Sequence, residues 1–177
     1  MRKTVFLVVS LTGFVLAGLL AYQINLKEHF KSLVPHLTVG ESVPAVSFMN
    51  HEDQPVALSD FEVLPILLLV FERPCTTCTS NIPFWMKLSE LAGERAHVLG
   101  IILDRGEMIS IAETKRLPFK LISPVDGDEF VRAWWLRLNL AQTMIVKGDR
   151  VRYIRLGNLM AKDMRGIINT LREGEEK

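Results

Sequence analysis

Cys75 and Cys78 are the only cysteines in the 177 residues, and they follow directly on the apolar run Leu64 to Phe71 and precede a helix-like stretch. At i and i+3 on the first turn of a helix two sulfurs are close enough to bridge. The outer sulfur there meets the unpaired N–H groups and the positive end of the helix, which favour thiolate over thiol. A thiolate so placed can attack the disulfide of another protein. An inert bridge is the competing reading. Closing so short a loop adds little chain-entropy stabilisation compared with closing a long one, so exchange chemistry is the better motivated role.

Other candidate chemistry is thinner. His29, His36, His51 and His97 show no paired spacing with the cysteines, so a four-ligand zinc site is not expected, and copper held by two thiols and one histidine is the remaining metal reading. Asp126-Gly127-Asp128-Glu129 reads as a helix cap rather than a metal loop. Glu113, in a candidate helix, is an acid that could assist proton transfer to Cys78, with a solvated helix face as the plainer reading. Trp134 and Trp135 would point about 100° apart on a helix, so one is expected to pack on the sheet and the other is a candidate partner contact.

Every residue from Val5 to Ala21 except Ser10, Thr12, Gly13 and Gly18 is hydrophobic, and Arg2 and Lys3 precede the run. That length is near the lower limit for crossing a bilayer, and the basic start places the N-terminus in the cytoplasm with the rest exported. Cleavage after Ala21 would leave Leu19 at the third position before the cut, so an uncleaved anchor over residues 1–22 is favoured over a signal peptide. The expected location is the cytoplasmic membrane, single-pass, with the cysteines on the outer side, where a disulfide persists. Residues 23–38 read as a linker or juxtamembrane helix, with Leu26, Phe30, Leu33 and Leu37 at helical spacing and Pro35 to end it. Without Arg2 and Lys3 the 21 basic residues fall to 19 against 20 acidic ones, and this near-neutral balance argues against nucleic acid as a partner.

From Val39 short apolar runs alternate with amphipathic stretches, the order of an α/β domain with a central mixed sheet flanked by helices, over residues 39–172, with 173–177 a charged tail. Strands are expected at Ala45–Met49, Ile66–Phe71, Val98–Leu103, Phe119–Ile122, Thr143–Val146 and Val151–Leu156. Helices are expected at Thr76–Ala92, Glu107–Lys115, Asp128–Arg137 and Met160–Leu171, with Lys147 to Arg150 turning a hairpin.

Several motifs follow one another in a known order. Gly40 to Pro44 is similar to a "G-x-x-x-P" opening and Val56 to Phe61 to a "v-x-L-s-d-f" stretch. Leu68 to Phe71 is followed by Cys75, Cys78 and then Pro83, five residues after the second cysteine. Together these resemble the membrane-anchored thioredoxin-like thiol-disulfide oxidoreductases of the redoxin, TlpA-like group, over about Val39 to Leu171. The resemblance implies a thioredoxin-like fold and no bound cofactor. It implies Cys75 as the attacking thiol and Cys78 as the resolving one. The partners it implies are exported protein thiols or disulfides, apocytochromes among them, together with a membrane electron donor or acceptor. Arg73 would act on the thiolate's charge and Pro74 would preset the turn into the helix. Ala141, Gln142 and Thr143 would form the loop that presents backbone to a substrate. Where the family has a cis proline before a threonine, this chain has Gln142 before Thr143, and the peptide there is expected to be trans. Loss of that proline keeps open a non-enzymatic, partner-binding module as the alternative. A peroxidase of the related peroxiredoxin class is not expected. The positions seven and three before the cysteines hold Leu68 and Glu72, or Phe71 and Cys75, in place of its proline and threonine or serine.

Overall fold

The computed structural model describes residues 37–61, 63–71, 75–114, 117–134 and 141–172. Seven strands form one mixed sheet: β1 (Phe48–Asn50), β2 (Pro55–Val56), β3 (Ile66–Phe71), β4 (His97–Ile102), β5 (Lys120–Pro124), β6 (Gln142–Lys147) and β7 (Arg150–Leu156). Their order is β2-β1-β5-β4-β3-β6-β7. β3, β4 and β5 are parallel neighbours, whereas β1 and β6 run antiparallel to β5 and β3. Four helices, α1 (Thr76–Ala92), α2 (Arg105–Thr114), α3 (Gly127–Trp134) and α4 (Ala161–Arg172), complete a thioredoxin-like α/β fold.

The position of β3 follows from its sequence. All six of its residues are apolar and all are buried, as expected of a strand covered on both faces. Successive side chains point to opposite faces, so Leu67, Leu69 and Phe71 enter the core shared with α1, α2 and α4. Ile66, Leu68 and Val70 enter the second core, with Phe48 and with Phe130 and Trp134 of α3. The same split recurs on β6, where Ile145 faces the first core and Met144 and Val146 the second. Gly100, on the first-core face of β4, has no room for a side chain. A Cβ there would lie 2.7 Å from Leu121 Cδ2 and 3.0 Å from Phe119 Cε2.

Gly148 and Asp149 turn β6 into β7, with Gly148 at φ +61°, a conformation in which glycine meets no steric cost. Residues 40–43 run beside the start of β7. Gly40 N–H donates to Val151 O at 2.8 Å, and Val151 N–H to Glu41 O at 2.9 Å. The Ser42 hydroxyl donates to the Asp149 carboxylate. That bond is the main cause holding Asp149 below its ordinary pKa of 3.8. A depressed folded pKa stabilises the fold above the unfolded carboxylate's pKa, and the contribution is lost as pH falls through the folded value. In Ser42→Ala, Asp149 should therefore titrate closer to 3.8 by NMR. The stability gap between the two chains should close as the native Asp149 protonates.

Most boundaries shift by one to three residues from the sequence reading, and three differences have a clear cause. β1 begins at Phe48 rather than Ala45, because its partner β5 ends at Pro124, opposite Phe48. β2 and the 3-10 turn Leu58–Phe61 were not foreseen, since two or four residues show no period. Leu37, assigned above to the linker, is 6 % exposed within the second core, so the domain begins before Val39. The anchor, the linker up to residue 36 and the tail 173–177 lie outside the described residues. Among those described, no helix is long and apolar enough to cross a membrane.

Candidate active site

β3 carries the chain to Cys75 at the end where its parallel neighbour β4 also finishes and where antiparallel β6 begins. Cys75 is the N-cap of α1, with φ −136° and ψ 101°. Its Sγ accepts the N–H of Cys78 at 3.0 Å, so a sulfur does here what a serine or aspartate oxygen does at other helix starts. The two sulfurs are bonded to each other, with Cα atoms 5.2 Å apart, inside the usual span of about 4.4–6.8 Å for a bridge. In this bridged state both cysteines are buried. Cys75 is 8 % and Cys78 5 % exposed, because the bond holds both beneath one turn. What separates them is the helix end. Cys75 caps the helix start, and Cys78 sits one turn inside.

The pair closes one side of the first core, with Phe71, Trp85, Met108 and Ala141 in the same cluster. Apolar burial raises a thiol's pKa and a helix N-terminus lowers it, so opening the bridge sets these effects against each other on Cys75. Behind the pair, α1 is tied to the sheet. The Trp85 indole N–H donates to Thr143 Oγ1 at 2.9 Å in the interior. Asn81 Nδ2 donates to Gly157 O, and Leu159 N–H donates to Asn81 Oδ1, both at 2.9 Å. Pro83 lies within α1 and has no N–H to give the preceding turn.

A strand delivering a buried cysteine pair to a helix N-terminus, within this sheet order, finds its counterpart in the Redoxin family model, which matches residues 38–168. The chain belongs to the redoxin family. Solved structures share the fold of this redoxin at low identity. A protein assigned as the thiol:disulfide interchange protein DsbE of Chlorobium tepidum is 16 % identical with TM-score 0.62, covering 77 % of this chain and 97 % of that one. The thioredoxin domain of a thiol-disulfide oxidoreductase from Bacteroides vulgatus is 15 % identical with TM-score 0.60, covering 75 % and 96 %. Peroxidoxin BcpB of Mycobacterium tuberculosis is 21 % identical with TM-score 0.63, covering 78 % and 98 %. Among curated proteins, none matches this redoxin in sequence.

Of the residues singled out in the sequence, the redoxin fold bonds Cys75 to Cys78 and places Ala141 in the same core. Gln142 and Thr143 are not in a loop. Both are buried residues of β6, paired with Val70 and Leu69 of β3. Ala141, the first of the three residues expected in that loop, precedes the strand and belongs to the same apolar cluster as the cysteines. Glu113 stands in the last turn of α2. Because α2 links the parallel strands β4 and β5, it runs back from the cysteine end, and eight steps of about 1.5 Å each from Arg105 carry Glu113 away from the pair. Arg73 and Pro74 lie outside the described residues. Trp134 is core, 1 % exposed, with its indole N–H on Pro44 O at 3.1 Å, and Trp135 lies outside the described residues. Asp126 does cap α3, accepting Glu129 N–H at 2.8 Å.

Sequence reasoning missed Asn81 and Trp85. Both had a signal: Cys78, Asn81, Trp85, Leu88 and Ala92 fall at helical spacing on the buried face of α1. A polar residue on that stripe has to find partners inside the protein.

Proposed function

We propose that this redoxin is a thiol-disulfide oxidoreductase of the cell envelope, anchored by residues 1–22 and acting on exported proteins, apocytochromes among them. The observation that carries the reading is the Cys75 sulfur at the N-cap of α1, accepting the Cys78 N–H, with the second sulfur within bonding reach. In the reducing direction the Cys75 thiolate attacks one sulfur of a substrate disulfide, forming a mixed disulfide and releasing a substrate thiolate. Cys78, losing its proton, then attacks Cys75 Sγ, which re-forms the internal bridge and frees the second substrate thiolate. Two electrons pass to the substrate, and a membrane donor restores the dithiol. In the oxidising direction the same steps run in reverse and the membrane partner accepts the electrons. No bound cofactor is needed for either.

Alkylation of the reduced full chain across pH, with mass spectrometry separating the two cysteines, tests this reading. Cys75 is expected to react fast, with a pKa well below the free-thiol value of about 8.5, while Cys78 stays protected. Slow reaction of both, or reaction only above that pH, would overturn it.

A further inference from the structure

The sheet has a gap that the exchange steps above do not use. β1 pairs with β5 only from Phe48 opposite Pro124 to Asn50 opposite Ile122, whereas β5 begins at Lys120. Past Asn50 the chain turns back into β2, on the far side of β1. Among the described residues no strand therefore covers the β1 side of Lys120 and Leu121. A cavity of about 560 Å³ occupies that place. Val56, Phe61 and Leu99 line it from the second core, and Leu117, Phe119 and Leu121 from the first. Packed interiors leave few voids larger than a water molecule, and this one falls within the range of about 300–1,000 Å³ usual for small-molecule sites.

The rim is fixed by its own bonds. Asn50 Oδ1 accepts the N–H groups of Glu52 and Gln54, each at 2.9 Å, and Arg105 of α2 pairs with Asp53, so the turn between β1 and β2 is held in place. The Phe61 ring meets the His97 ring in a T-shaped contact, centroids 5.0 Å apart. The charged and titratable groups at the rim are His51, Glu52 and Lys120. Glu52 has His51 beside it, Nε2 to Oε1 4.0 Å. Lys120 is exposed and has no ion-pair partner among the described residues. Apolar walls with one uncompensated cation at the mouth complement an apolar anion.

We propose that this cavity is a second site of the protein, binding an aromatic carboxylate with its rings against Phe61 and Phe119 and its carboxylate on Lys120. Rings gain edge-to-face and offset contacts with the two phenylalanines beyond the area they bury. The anion stays at the mouth, where it meets the ammonium and keeps part of its water, so no bare charge is buried. The site is separate from the cysteines. Lys120 is level with Leu99, and Leu99 with Leu68, short of the end of β3 at Phe71. β4 also stands between β5 and the strand that delivers the pair.

Naphthoate and its uncharged counterpart naphthamide, titrated into the full chain and followed by the NMR shifts of its backbone amides, test the proposal. Naphthoate should bind saturably, with a Kd of about 1 mM or below. It should move the amides of Leu99, Leu117, Lys120 and Leu121 and leave those of Cys75 and Cys78 in place. Lys120→Glu changes an exposed side chain and leaves the fold alone. It should weaken naphthoate by about fivefold and naphthamide not at all, the scale of one surface ion pair. Val56→Trp fills the cavity and should weaken both ligands by about tenfold or more. No saturable binding, shifts centred elsewhere, or equal effects of Lys120→Glu on acid and amide overturn the proposal. Native affinity in a folded Val56→Trp chain overturns it too. Where that chain does not melt cooperatively, the shift map and the Lys120→Glu comparison decide.

Discussion

Cys78→Ser, reduced and mixed with a disulfide-bearing protein, should stop halfway through exchange and accumulate a covalent complex with its partner. Cys75 can still attack, since its cap is a main-chain N–H of residue 78 that serine also supplies. No second thiol remains to resolve the mixed disulfide, because the chain holds only two cysteines. The complex should survive denaturing electrophoresis and vanish on reduction. Cys75→Ser should give no complex and lower turnover by more than about a thousandfold, as loss of a nucleophile does. A complex formed by the Cys75→Ser chain, and none by the Cys78→Ser chain, would reverse the two roles. Complexes from neither would sink exchange altogether. The trapped partner also identifies the physiological substrate, whatever its abundance.

The largest loss of stability is expected from Trp85→Ala. Trp85 is fully buried, its ring centroid lies 5.4 Å from that of Phe71, and its indole N–H satisfies Thr143 Oγ1. Removing such a side chain costs about 3–5 kcal/mol through lost burial and the cavity left behind. That is a large part of the roughly 5–15 kcal/mol by which a domain is stable. Urea unfolding measures it. Trp85→Phe separates the contributions, since it keeps most of the apolar contact and strands the Thr143 hydroxyl, for about 1–3 kcal/mol. A loss below about 1 kcal/mol for the alanine variant would mean that the α1–β6 contact is not part of the core.

Most of the frame was legible from the sequence for a simple reason: its signals are local. β3 is six consecutive apolar residues, and α1 starts and stops where its cysteine cap and Gly93 place it. The hairpin at Gly148 is marked by its own residue types. The candidate site was legible only where it coincides with such signals. Cys75 and Cys78 announce themselves, whereas the segment expected as a loop, Ala141 to Thr143, is strand from Gln142 onward and only Ala141 precedes it. A shift of one residue along β6 exchanges which side chain faces the pair, and the sequence offered Thr143 as a landmark without saying how far the strand extends before it. Asn81 could not be read as a tie because its partners, Gly157 and Leu159, are main-chain groups more than seventy residues away. Leu37 was misassigned for the opposite reason. It continues the helical spacing of Leu26, Phe30 and Leu33, and only the tertiary core reveals a different use.

The bridge between Cys75 and Cys78 spans a single turn of α1, and this makes the thermodynamics of the molecule unusually easy to read. A cross-link that short hardly restricts the unfolded chain. Any difference in unfolding free energy between the bridged and open protein therefore originates in the folded state, at the helix end where Cys75 is capped. The four states, folded or unfolded and bridged or open, form a closed cycle. The same difference must then reappear as the gap between the protein's reduction potential and that of an unstructured peptide with the same Cys-Thr-Thr-Cys sequence. About 1.4 kcal/mol in one experiment corresponds to about 30 mV in the other. Two melting curves, one for each redox state, thus give the direction in which electrons prefer to move: a more stable open form makes the protein an oxidant relative to its peptide, and a more stable bridged form makes it a reductant.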